Sequence, residues 1–214
     1  MRLATLPTES RRQRRYTAFF AAVALALFGN VHHARAQTEP EPDLGWIDRD
    51  AVAAREIQVN ADRGDRPLTV LIRIAAEIDA PPTAIWKILT ACEISPEYVP
   101  NVVSCEKVEE LDGGRADLFV QTIKPIFFLP TFEHVFRLDY TPYTRIDVHR
   151  VSGPIAYMEG SWWLLPQDSG RILLVYQVAV DPGLPIPRFL VRATMKRDLP
   201  KIMMAVRERA EAAR

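Results

Sequence analysis

His134 stands in an alternating run, and the alternation limits what it can do. Phe132, His134, Phe136, Leu138 and Tyr140 fall on one face of the stretch 131–140, with Glu133, Arg137 and Asp139 on the other. That period of two describes a half-buried strand whose apolar face points at a core. An imidazole placed there can hydrogen-bond a carbonyl or hydroxyl of an apolar ligand; it can equally be a core histidine satisfied by a backbone group or a tyrosine. The stretch 155–165 offers a second group, Glu159, a candidate general base if it faces inward. Met158, Gly160, Trp162 and Leu164 share one face there, and Tyr157, Glu159, Ser161 and Trp163 the other. A tryptophan on each face leaves the inward side open, and Gly160 either makes room for a ligand or bends the sheet. At 145–151, Ile146 and Val148 set an inner face, so Arg150 follows them inward or reaches solvent at the strand end, while His149 points out.

These groups do not assemble into a familiar catalytic set. No carboxylate is expected on the face of His134, and no Ser-His-Asp or Cys-His arrangement is evident. Metal-ligand spacing and a phosphate-cradling glycine loop are missing too, so neither a cofactor nor a metal is expected. Cys92 and Cys105, the two cysteines, are either a disulfide or two small buried apolar side chains.

The elements that position these groups follow from periodicity and punctuation. Residues 37–45 read as a solvated, Pro-rich tether. Extended segments follow near 54–60 and 67–78, separated by Arg63-Gly64-Asp65. In the second, Leu68, Val70, Ile72, Ile74, Ala76 and Ile78 share a face. Asp79-Ala80-Pro81-Pro82 opens a helix, since prolines fit a first turn where no amide partner is needed. Ser95-Pro96 restarts the chain as a second short turn. Strand-like runs then recur at 102–111, 116–124, 131–140, 145–151, 155–165 and 171–180 with short turns between them, an antiparallel meander. A final helix carries Met195, Leu199, Ile202, Val206 and Ala210 at spacings of three and four. A sheet wrapping one helix is the simple way to bury both apolar faces. One helix cannot fill the concavity of about seven strands at native density, so a ligand cavity is expected between them.

Of 214 residues, 48% are hydrophobic, and 27 Lys+Arg balance 27 Asp+Glu. This is one domain's worth of globular chain with an appendage. The balance hides three segments. Residues 1–36 hold six basic groups and one acid around the apolar run 18–28 and end in Ala34-Arg35-Ala36. This predicts a cleavable export signal, cut between Ala36 and Gln37, and a periplasmic or secreted protein. The apolar run is shorter than the roughly 20 residues that span a bilayer. Ser10-Arg11-Arg12-Gln13 is similar to a twin-arginine start, with Arg14 where an apolar residue is expected, so the export route stays open. The remaining chain carries 21 basic and 26 acidic groups, with eight of the basic ones and three acids after residue 187. No nucleic-acid partner is expected of such a body. Two apolar loops, 124–130 with Phe127, Phe128 and Leu129, and 184–190 with Ile186 and Phe189, read as a gate or membrane contact, or else as the closed end of the core. Arg188, Arg192, Lys196, Arg197 and Lys201 at the start of the last helix fit an anionic membrane surface, or merely neutralise the acidic body.

The element order resembles the START-like, helix-grip superfamily, in particular its polyketide cyclase/dehydrase and coenzyme Q-binding branch. The resemblance rests on residues 80–90, on Pro96-Glu97-Tyr98-Val99-Pro100-Asn101-Val102, on Gly160-Ser161-Trp162-Trp163-Leu164-Leu165-Pro166 and on Asp181-Pro182-Gly183. It implies an α+β fold over 67–214, a curved antiparallel sheet round a long C-terminal helix, preceded by a tether and an extra strand in 37–66. It also implies a hydrophobic small-molecule ligand such as a quinone, isoprenoid or lipid; strand parity and the stripe of the last helix place Phe132, His134, Phe136, Met158, Trp162 and Leu199 around it. A cyclase/dehydrase-like enzyme using His134 or Glu159 is the alternative, and a membrane-surface or protein-interaction module with a filled cavity is a third.

Overall fold

The computed structural model describes residues 41–125, 129–183 and 186–213. The expected signal, residues 37–40 of the tether, and Phe127 and Phe128 of the first apolar loop lie outside them. The chain enters through α1 (Arg49–Ala53), where the Asp48 carboxylate accepts the backbone N–H groups of Asp50 and Ala51, both at 3.1 Å. β1 (Gln58–Arg63) and β2 (Val70–Ile78) form a hairpin. Pro82 then starts α2 (Pro82–Thr90), and a 3-10 helix spans Cys92–Glu97. Six strands follow: β3 (Val102–Leu111), β4 (Ala116–Ile123), β5 (Phe132–Thr141), β6 (Arg145–Ser152), β7 (Tyr157–Pro166) and β8 (Ile172–Asp181). The last element is α3 (Arg188–Ala212), which runs through Pro200.

All eight strands form one curved antiparallel sheet, ordered β1-β2-β8-β7-β6-β5-β4-β3. β8 returns to pair with β2, Ile74 opposite Tyr176, which brings the second strand beside the last. The inner face of β2 and β8 packs on α2 and α3 through Ile72, Ile78, Ile85, Leu174, Met203 and Val206. A second cluster, centred on Phe119, Phe136, Leu138, Ile146 and Val148, occupies the concave side of β4 to β6.

The N-terminal part departs from expectation. Residues near 54–57 are not a strand; α1 precedes them, and β1 begins only at Gln58. Leu68 does not join the inward face of β2. It sits in the hairpin turn at φ 68° and is 60% exposed. From residue 43 the tether packs on the sheet: Asp43 pairs with Arg73 and its carbonyl accepts the Gln177 side-chain amide, while Leu44, Trp46, Ile47 and Val52 cover Ala75, Leu173 and Val175. That cover explains why β2 is buried on both faces, which an alternating strand does not require.

Candidate ligand-binding site

The register of the meander sets the inner wall of a cavity. His134 on β5 lies opposite Gln121 on β4, and Trp162 on β7 lies opposite Tyr176 on β8. Phe136, Leu138, Val148 and Met158 complete this wall. The other wall is the end of α2 and the 3-10 helix after it: Leu89, Cys92, Ser95 and Tyr98. Cys92 and Cys105 are joined as a disulfide with Cα atoms 5.4 Å apart, so β3 is stapled to that wall. The space between the two walls is about 180 Å³. An apolar cavity of about 150 Å³ accepts benzene, so this one suits a group of roughly one ring.

His134 is 3% exposed, and its ring stacks on Phe136 with centroids 5.3 Å apart. Its Nε2 is 3.0 Å from Oε1 of Gln121. An amide oxygen only accepts, so Nε2 carries the proton and Nδ1 keeps its lone pair. Burial first, and then the nearby Arg150 guanidinium, lower its pKa from 6.5 to about 4, so the imidazole is neutral near pH 7. Among the described residues Nδ1 has no hydrogen-bond partner, and neither has the Oγ of Ser95, which is 7% exposed. Burial also pushes the phenol of Tyr176 up, and that ring stacks on Trp162 at 4.0 Å. Tyr98 is likewise raised by burial, although Arg209 lies over its ring at 5.1 Å.

Of the residues expected to hold a ligand, His134, Phe136, Met158 and Trp162 line this cavity. Leu199 does not: it packs in the core between β2, α2 and α3, because α3 lies against β1, β2 and α2 rather than over the middle of the sheet. The cavity is therefore walled by residues 89–98 and not by the last helix. Phe132 is half-buried at the start of β5, outside the lining. Glu159 is not an inward base. It lies opposite His149 on the convex face and bonds His149 Nδ1, since the β6/β7 register sets it one residue from the inward Met158. Arg150 follows the inner face and satisfies itself on the carbonyls of Gly153 and Ile155. Gly160 makes no room for a ligand. A Cβ there would strike the backbone of Gln177 and Val178 on β8, so glycine is what lets the two strands approach. Of the gate residues, Leu129 and Ile186 are half-buried, and Phe189 is 61% exposed.

Sequence reasoning missed Gln121, Ser95, Tyr98 and Tyr176. Gln121 and Tyr176 were within reach by parity, two residues from the buried Phe119 and Leu174. Ser95 carried no signal, because a 3-10 helix has no apolar period long enough to read.

A family model described as polyketide cyclase / dehydrase and lipid transport matches residues 78–207. The protein belongs to this family. No functionally curated protein matches it. Among solved structures, a STAR-related lipid transfer protein fragment from Xanthomonas axonopodis is similar at 18% identity and a TM-score of 0.61, over 71% of this chain and 92% of that one. The Zhui aromatase/cyclase from Streptomyces sp. R1128 is similar at 16% and 0.55, over 68% and 96%. The human StarD13 lipid transfer and protein localization domain follows at 15% and 0.58, over 72% and 84%. At these identities the likeness shows the START-like fold and no more. As a polyketide cyclase/dehydrase and lipid transport family member, the protein has the matched region beginning at the last residue of β2, so α1, β1 and the rest of β2 lie outside that region.

Proposed function

We propose that the protein binds one small hydrophobic molecule in the cavity beneath residues 89–98 and carries it without transforming it, in the compartment outside the cytoplasm. The observation that carries this reading is an aromatic-lined space bordered by His134 and Ser95, each with a buried polar atom that no described residue satisfies. A cyclase-like reaction needs an acid to complement a base. His134 supplies one basic nitrogen, Glu159 faces away, and the cavity tyrosines hold their protons more tightly than usual. Export is supported by the pattern of residues 1–36 and by the paired cysteines, which fit an oxidising compartment. Native mass spectrometry of the gently purified protein is expected to find one apolar adduct per chain, and Val148→Phe, which fills the cavity, to lose it. An empty protein that also fails to bind fluorescent lipids would sink the reading.

An anionic membrane surface is the second partner we propose. Arg63, Arg188 and Arg192 rim a groove with Phe189, and none of the three has an ion pair among the described residues. Arg197 and Lys201, expected to belong to the same cationic run, are instead drawn onto the buried Asp198.

A further inference from the structure

The polar atoms of the cavity say more about its guest than its volume does. Gln121 fixes the tautomer of His134 by accepting from Nε2. What remains at Nδ1 is a lone pair, an acceptor, and no described residue donates to it. Ser95 lines the same cavity and its Oγ is also unpaired among the described residues; a hydroxyl can donate or accept. A buried acceptor left bare costs about 1–3 kcal/mol, so a guest that donates to it gains what a guest lacking a donor forfeits.

We infer, resting on the hydrophobic-ligand reading, that the ligand carries a hydroxyl, which donates to Nδ1 of His134 while its oxygen accepts from Ser95 Oγ. A ketone, an ether or an oxidised quinone offers oxygen lone pairs alone and leaves Nδ1 unpaired. A carboxylate, also without a donor, brings in addition a charge that burial disfavours. The ligand class is then a phenol, a quinol or an alcohol on a hydrophobic skeleton, and the hydroxyl end is the end that enters.

The test compares para-cresol, para-methylanisole and para-tolualdehyde, three probes of one ring that differ in the donor, by isothermal titration calorimetry at neutral pH. Para-cresol is expected to bind about tenfold more tightly than either acceptor-only probe. His134→Phe keeps an aromatic ring there, and is expected to bring the three probes to within about twofold of one another; Ser95→Ala is expected to weaken para-cresol alone. Nitrogen-resolved NMR of the wild-type imidazole gives a readout independent of any variant: para-cresol is expected to shift Nδ1 and leave Nε2 in place. Equal binding of the three probes, or an Nδ1 signal unmoved by saturating para-cresol, overturns the inference while the hydrophobic-ligand reading stands. Binding of none of them overturns both.

Discussion

A neutral buried imidazole is costly to protonate, and His134 converts that cost into a pH dependence of folding. Its ordinary pKa of 6.5 falls to about 4, through burial and then through Arg150. Below about pH 6.5 the unfolded chain takes up a proton that the folded chain refuses, so stability falls as pH drops from there to about 4 and is level below. The expected loss is at most roughly 3 kcal/mol, and urea unfolding at pH 7 and pH 4 should show it in the wild type and lack that component in His134→Phe. Gly160→Ala makes a second residue-scale prediction. Its new methyl meets β8 backbone rather than a movable side chain, so a loss of about 1–3 kcal/mol is expected, read as a lower urea midpoint. At this scale the sequence was readable wherever one face was purely apolar. Parity along 132–140 placed His134 inside, whereas the two tryptophans of β7 hid the side on which Glu159 lies, and only pairing with His149 resolves it.

Among elements, the short stretch after α2 matters more than its length indicates. It walls the cavity, and one covalent bond to β3 holds it. The cysteines are 13 residues apart, and a loop of that size is worth about 3 kcal/mol of unfolded-state entropy in the chain-closure account. Reductant should therefore lower the unfolding free energy by about 2–3 kcal/mol and weaken para-cresol binding, because Cys92 is part of the lining. The Cys92→Ser/Cys105→Ser variant should show the lower stability with no further response to reductant; unchanged thermal unfolding on reduction would mean the wall is held by packing alone. The strand order and the stripe of α3 were legible because six hairpin-linked strands and a helix of 25 residues each repeat a period many times. α1 was not, since a helix of five residues buries one side chain, Val52, and a single residue has no period. The cavity was expected beneath α3 because periodicity says which face is apolar but not which element covers it. Here α3 takes the β1–β2 end of the sheet and residues 89–98 take the middle.

Among the described residues some cations are held by carboxylates and others are not. Arg55, Arg73, Arg137, Arg145, Arg171 and Arg209 are each paired with a carboxylate, in keeping with a body that has acids in excess. Arg63, Arg188 and Arg192 have no such partner among the described residues, and they surround a groove where the β1–β2 hairpin meets the start of α3. Beside them Leu68, Phe189 and Leu190 are 60%, 61% and 45% exposed, large side chains that a solvated surface does not need. Free positive charge next to exposed apolar groups is the combination that lets a protein rest on anionic headgroups while its apolar side chains reach the acyl boundary. No helix among the described residues is long and apolar enough to cross a bilayer, so contact of this kind would lie on the surface. Vesicle sedimentation should show binding to phosphatidylglycerol-containing membranes, little binding to pure phosphatidylcholine, and release by salt. At about 1 kcal/mol per charge near the surface, Arg188→Glu/Arg192→Glu should cut binding by more than tenfold and leave para-cresol affinity unchanged. Phe189→Ser with Leu190→Ser separates the two contributions: if the apolar residues enter the membrane, affinity falls and the remaining binding becomes more salt-sensitive. Undiminished binding in the arginine variant, or equal binding to neutral vesicles, would remove the anionic surface as a partner and leave the cavity reading untouched, because none of these residues lines the cavity.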